Sequence, residues 1–166
     1  FIFSDQQRQD TMACYGNNWI KPPHLNKLAN RSFVFKNAYV TQPVCTPSRA
    51  SIMTGLYPHA AGPVLNGIEL ADNVKSVAEM ISDNYTCGYF GKWHLGHGDT
   101  AQHGFSTWVS TEDGYEGKFV RGGPISNRSD YHQHLVDNGF VPDKTDGKVN
   151  TFSHNNLVSF PAEYQM

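Results

Sequence analysis

The sequence predicts an α/β protein, a parallel sheet with flanking helices, and two observations carry that prediction. Short apolar, β-prone runs at residues 1–4, 33–40 and 86–90 alternate with helical patterns near 24–30, after residue 45, and at 74–81. Strand and helix in alternation is the order that builds parallel sheets. The polar side chains with chemical potential also follow directly on the strands. That is where ligands sit in open α/β sheets.

Taken in order, Phe1-Ile2-Phe3-Ser4 is short and apolar and reads as a buried parallel strand with Asp5 at its carboxyl end. Pro22-Pro23 then introduces a short helix over residues 24–30, with Leu25 and Leu28 three apart. Residues 33–40 form the second predicted strand, and their alternating Phe33, Phe35 and Tyr39 are expected in the core. Val74, Val77, Ala78 and Ile81 keep the i, i+3, i+4, i+7 spacing of an amphipathic helix. Residues 86–90 are the next strand and deliver Lys92 and His94. Beyond Gly104 the pattern weakens. Ser129 suits an N-cap and Gly139 a stop for a helix over 129–138, while 114–127 and 142–156 are Gly-, Asn- and Asp-rich loops. No repeat and no linker divides the chain.

Composition removes several functions. Charged residues make up 17% of the 166, the net charge is −2, and no basic run exists, so nucleic-acid binding has no electrostatic footprint. No apolar stretch approaches membrane-spanning length. The three cysteines are odd in number and widely spaced, which is not a disulfide framework. Cys14 and Cys87 are expected in the core as small apolar groups.

The most informative stretch is Cys45-Thr46-Pro47-Ser48-Arg49-Ala50-Ser51-Ile52-Met53-Thr54-Gly55. It places a reactive side chain on a tight turn at a helix start. Pro47 suits a first helical position, after which Ser48, Arg49 and Ala50 are expected to offer free N–H groups to an anion. A thiol there would be acidified, and Arg49 adds a planar fork of donors for an oxyanion. Lys92 and His94, two apart on an extended segment, are expected to leave the same face.

C-x-P-S-R-x-x-x-x-T-G resembles the signature of the type I sulfatases, whose cysteine is converted to formylglycine, an aldehyde. Phe3-Ser4-Asp5-Gln6-Gln7-Arg8 looks like the family's metal-binding first strand end. Gly88-Tyr89-Phe90-Gly91-Lys92-Trp93-His94-Leu95-Gly96 is similar to its second signature in looser form. The motifs occur in the family's order, and the resemblance runs to about residue 108. It implies an alkaline-phosphatase-like sulfatase fold. Residues 1–166 would be the N-terminal part of its catalytic domain, inactive alone, with further metal and sulfate ligands downstream. The opening inside an apolar run and the end without a closing element agree with that expectation.

The resemblance also implies roles. Cys45, as formylglycine hydrate, is the nucleophile: one hydroxyl attacks sulfur, and deprotonation of the other expels sulfate and restores the aldehyde. Asp5, Gln6 and the oxygen of modified Cys45 are the metal ligands for Ca²⁺ or Mg²⁺, a Lewis acid. Gln6 departs from the family's usual second Asp; its amide oxygen can still coordinate a hard cation, with one negative charge fewer. Arg49 orients the hydrate or the metal-bound oxygens, Lys92 binds a sulfate oxygen, and His94 hydrogen-bonds the formylglycine hydroxyl. His103, in a His-Gly-Phe segment, is either a substrate contact or a loop histidine.

A zinc cluster of Cys87, His94, His97 and His103 matches no closed structural spacing. His132 and His134 read as surface or packing residues. Sequons at Asn30, Asn84 and Asn127 bear on function only in a eukaryotic secretory setting.

The implied function is hydrolysis of a sulfate ester, of a sulfated carbohydrate or an aryl sulfate. The implied partner is a formylglycine-generating enzyme, with no nucleic acid or membrane, and the setting is periplasmic, secreted or lysosomal. Two alternatives stand beside it: a phosphate or phosphonate ester hydrolase of the same superfamily, and a non-catalytic, truncated sulfatase-like module.

Overall fold

The structure, a computed structural model, describes residues 1–111, 129–142, 144–146 and 149–151. The predicted loop at 114–127, with Asn127 of the third sequon, lies outside the described residues. The chain forms two compact units, Phe1–Tyr39 and Val40–Met166, although composition marks no linker between them.

In the first unit, two single 3₁₀ turns, Gln9–Thr11 and Ala13–Tyr15, precede helix α1, Pro23–Ala29. Pro23 occupies a first-turn position of α1, where its missing N–H costs nothing. Tyr15 Oη donates to the Phe35 carbonyl at 2.7 Å, and Gln9 Nε2 donates to that of Lys36 at 3.1 Å. These bonds hold the backbone at Phe35 and Lys36 without a ladder. Neither 1–4 nor 33–40 is a strand, and Phe33, Phe35 and Tyr39 are exposed rather than core. The reason is that β-propensity describes fit to a pleated neighbour, and no described strand pairs with either run. Cys14, expected in the core, is likewise exposed.

The second unit begins with α2, Cys45–Thr54, closed by Gly55 in the left-handed region, and a short α3, Pro58–Ala61. The predicted amphipathic helix shrinks to α4, Val77–Met80. A full capping box starts it: Ser76 Oγ accepts from the Ala78 N–H at 3.1 Å, and Glu79 Oε2 accepts from the Ser76 N–H at 2.8 Å. Ile81 is already extended (ψ 157°), which ends the helix after one turn.

Strand β1, Gly88–Gly91, matches the predicted run at 86–90 and pairs in parallel with β2, Thr107–Ser110, which the sequence pattern does not mark. The register sets Tyr89 opposite Trp108, and their rings stack at 4.9 Å. Trp93 meets Tyr89 edge-on at 5.0 Å, and Phe105 meets it at 5.3 Å. Each such pair contributes about 0.5–1.5 kcal/mol beyond the area it buries. Trp93, Leu95, Leu70, Ala50 and Met53 complete this core. The crossover from β1 to β2, residues 92–106, is therefore pinned from within.

Helix α5, Asp130–Asp137, follows the sequence reading closely. Ser129 Oγ caps the His132 N–H at 3.1 Å. Gly139, at φ 85°, closes a Schellman motif in which Phe140 N–H reaches the Leu135 carbonyl and Gly139 N–H that of Val136. His132 and Leu135 are buried, and His134 is exposed. Asp130 Oδ2 accepts from the Ser110 N–H at 2.7 Å, fastening α5 to the end of β2. Within the stretch read as a loop at 142–156, β3 (Lys144–Asp146) and β4 (Val149–Thr151) pair antiparallel.

Gly104 shows how tightly the crossover is packed. Its φ is 80°, and an added Cβ would lie 2.7 Å from Glu79 Cγ and 2.8 Å from the Ala78 carbonyl carbon. Gly104→Ala should destabilise the protein by about 2–4 kcal/mol, combining left-handed strain with overpacking. Urea unfolding checks this; a midpoint equal to wild type would show that the crossover yields.

Candidate active site

Cys45 is half-buried in the first turn of α2. The helix starts two residues earlier than Pro47, so the donor pattern differs from the expected one. Ser48 N–H is already bonded to the Val44 carbonyl at 3.0 Å, inside the helical ladder, and Arg49 and Ala50 follow it. Thr46 N–H is taken by Asn66 Oδ1 at 3.0 Å, and Pro47 has none. Asn66 thus caps from outside a helix whose own N-cap, Val44, has no capping side chain. Ser48, Arg49 and Ala50 are not the free anion donors that the sequence pattern suggested.

Arg49 lies one turn after Cys45 and is buried at 4% exposure. Its Nη1 donates to the Lys92 carbonyl and lies 3.4 Å from Tyr89 Oη, which also donates to that carbonyl. One turn earlier, the Thr46 hydroxyl, 1% exposed, donates to the His94 carbonyl at 2.9 Å. Two side chains of α2 therefore grip the backbone on either side of Trp93. The result gathers Cys45, Arg49, Lys92 and His94 onto one small piece of structure.

The chain leaves extended geometry on either side of Lys92 and Trp93. Gly91 has φ 117° and His94 φ 56°, so alternation no longer places Lys92 and His94 on one face. Among the described residues, the non-glycine positions with positive φ are Gln6, His94 and His103. Left-handed backbone costs such residues of order 1 kcal/mol or more, and it concentrates where function constrains the chain. His94 is also buried.

His103 goes elsewhere. Its Nδ1 lies 3.5 Å from Glu79 Oε2, its ring leans on Trp93 at 5.8 Å, and its carbonyl accepts from Ser76 Oγ at 2.6 Å. The His103 side chain is buried against the α4 capping box rather than presented at an open mouth. His97 Nε2 lies 3.8 Å from Glu69 Oε2.

Asp5 and Gln6 belong to the first unit, where both are exposed. They offer a carboxylate and an amide oxygen, donors of the kind hard cations prefer. Among the described residues, no group of three or more His, Cys, Asp or Glu is gathered to hold a metal. The donors therefore fit Ca²⁺ or Mg²⁺ in kind but supply only part of a coordination shell.

Sequence reasoning passed over Thr46, Asn66 and Tyr89 as site residues. Tyr89 stands inside the second motif, and Asn66-Gly67 is a turn dipeptide that could have drawn notice.

The profile of the Sulfatase family matches residues 1–145 of the chain. The chain belongs to that family. It is 38% identical over 120 residues to an ulvan-active sulfatase of Formosa agariphila, covering 68% of this chain and 24% of that protein. It is 34% identical over 129 residues to an N-acetylgalactosamine-6-O-sulfatase of Bacteroides thetaiotaomicron, covering 72% and 25%. Among solved structures, one in complex with its substrate D-glucosamine-2-N,6-O-disulfate matches with a TM-score of 0.54 at 31% identity, covering 60% of this chain and 20% of that one. The fold is the alkaline-phosphatase-like fold of sulfatases, represented by its N-terminal part. The chain spans about a quarter of the length of the curated relatives it matches.

The dual role of Glu79 gives a paired expectation. Glu79→Ala removes both the Ser76 cap and the partner of His103, and should cost about 1–2 kcal/mol. Glu79→Gln keeps an oxygen for the Ser76 N–H and should cost less than half of that. Denaturant midpoints of the two variants decide it. Equal losses would assign the effect to the charge near His103 rather than to the cap.

Proposed function

We propose that the protein carrying this chain hydrolyses a sulfate ester, with Cys45 matured to formylglycine as its nucleophile. The observation that carries the reading is the double grip of α2 on the 92–94 backbone. It brings the Cys45 turn together with an arginine, a lysine and a histidine. An anionic ester repels nucleophiles, and positioned cations offset that repulsion. An aldehyde hydrate at position 45 supplies a nucleophile that is regenerated when sulfate leaves.

Each side chain then has a task its chemistry suits. Lys92 supplies a point charge to a sulfate oxygen. His94 hydrogen-bonds the hydroxyl at position 45 and exchanges a proton there, with its backbone fixed by Thr46. Arg49 holds the Lys92 backbone and keeps a permanent positive charge one helical turn from the nucleophile. Asp5 and Gln6 are the oxygen donors for Ca²⁺ or Mg²⁺, whose bound charge would neutralise the ester oxygens. Relatives that act on ulvan and on N-acetylgalactosamine 6-sulfate favour a sulfated carbohydrate as substrate. Maturation would require a formylglycine-generating enzyme, in a periplasmic, secreted or lysosomal setting.

The test is turnover of paired sulfate and phosphate esters, with intact mass reporting loss of the Cys45 sulfur. Sulfate esters should be favoured, and Cys45→Ala should lower kcat about a thousandfold or more. Preference for the phosphate ester would move the assignment to a phosphohydrolase of the same fold. For the cation, Asp5→Asn should weaken Ca²⁺ affinity about tenfold or more, read from the Ca²⁺-dependent rise in Tm. An unchanged rise would place the ion on other ligands.

A further inference from the structure

We propose that Thr46 is a positioning residue for His94, an inference that rests on the sulfatase reading and adds a member to its machinery. Thr46 directly follows the nucleophile position and uses its two polar groups in two directions. Its N–H is held by Asn66 Oδ1 at 3.0 Å, and its hydroxyl donates to the His94 carbonyl at 2.9 Å. The side chain is 1% exposed, so water does not compete for that bond. The acceptor belongs to a residue with a φ of 56°, in a region that few non-glycine residues occupy, though histidine enters it more often than most. A conformation of that kind persists only where its surroundings over-determine it.

The neighbouring constraints show what Thr46 adds. On one side of Trp93, the Lys92 carbonyl has two donors, Arg49 and Tyr89. On the other side, the Leu95 carbonyl accepts from the Leu70 N–H at 2.9 Å. His94 lies between these anchors, with Thr46 on its own carbonyl. A buried hydroxyl can act here because the peptide plane sets where the following and preceding bonds point. Removing it frees the His94 peptide to rotate toward ordinary φ, and the imidazole would swing with it. The nucleophile and the residue that handles its proton are thus referenced to one threonine.

The experiment uses the full-length protein, with turnover normalised to the aldehyde content at position 45 by mass spectrometry. Thr46→Val keeps the shape and removes the donor; Thr46→Ser keeps the donor. The valine variant should lose about ten- to a hundredfold in kcat with KM within about twofold, the size of effect that misplacing a reacting group produces. The serine variant should recover kcat to within about threefold of wild type. A valine variant with wild-type kcat, or a serine variant as impaired as valine, overturns the proposal.

A second readout separates this from the function itself. The imidazole ¹⁵N signals of His94 should move in Thr46→Val and return in Thr46→Ser. If wild type cleaves no sulfate ester, the sulfatase reading fails while these signals still judge the positioning role. Unmoved signals overturn it. Thr46→Ala carries the same comparison should the valine variant not fold.

Discussion

Two backbone carbonyls, those of Lys92 and His94, are the points at which α2 holds the crossover of the second unit. Both accept hydrogen bonds from side chains of α2, Arg49 and Thr46, and both belong to the crossover that leaves β1. A crossover after a parallel strand has no ladder of its own and would otherwise wander. Buried donors replace the missing ladder. The His94 carbonyl is buried with Thr46 as its side-chain donor, so losing that donor would cost the penalty of an unsatisfied polar group, about 1–3 kcal/mol, whereas the Lys92 carbonyl keeps a second donor in Tyr89. Such bonds define one arrangement rather than many.

The aromatic cluster makes that arrangement possible. Tyr89 and Trp108 face each other across the parallel pair, and Trp93 closes the cluster from the crossover itself. Trp93 sits between Lys92 and His94 in sequence and is 1% exposed. Its ring is an anchor driven inward, so the backbone on both sides must turn sharply to leave it there. Gly91 at φ 117° and His94 at φ 56° are those turns. Burial of a large apolar group offsets the strain at His94, in the manner expected when binding geometry is built on a rigid support. Tyr89 joins the two systems, since its ring belongs to the cluster and its hydroxyl to the Lys92 carbonyl.

Much of this was legible in the residues, and the misses share a cause. Ser129 and Gly139 fixed the ends of α5 because capping is a local interaction, written within a few residues. The strand at 86–90 was legible as a short apolar run. Residues 1–4 and 33–40 are at least as rich in apolar, β-prone residues yet form no strand, since a ladder needs a partner that propensity does not name. The predicted helix at 74–81 kept its periodicity but not its length, because the capping box sets its start at Ser76 and Ile81 leaves helical space. The motif located Cys45, Arg49, Lys92 and His94, whereas Thr46, Asn66 and Tyr89 act through backbone acceptors or donors. A carbonyl is present at every residue, so nothing in a sequence marks which one is in use.

The backbone gives a further reason for treating these residues as more than packing. Gln6, His94 and His103 stand in the left-handed region, where glycine would be the easier choice. At His103 the structure supplies a local account: the ring is buried on Glu79, the carbonyl is held by Ser76, and Gly104 beside it admits no Cβ. The strain there is absorbed by packing, and a structural role is sufficient. At His94 the account is different. Its carbonyl is held by Thr46 and the residue is buried, so both backbone and ring are fixed where they stand. Under the proposed reading the imidazole also has a task there, on a backbone that Thr46 fastens to the helix carrying Cys45. The strain at His103 thus has an account in the fold alone, and the strain at His94 is the one to which the proposed chemistry would add a reason.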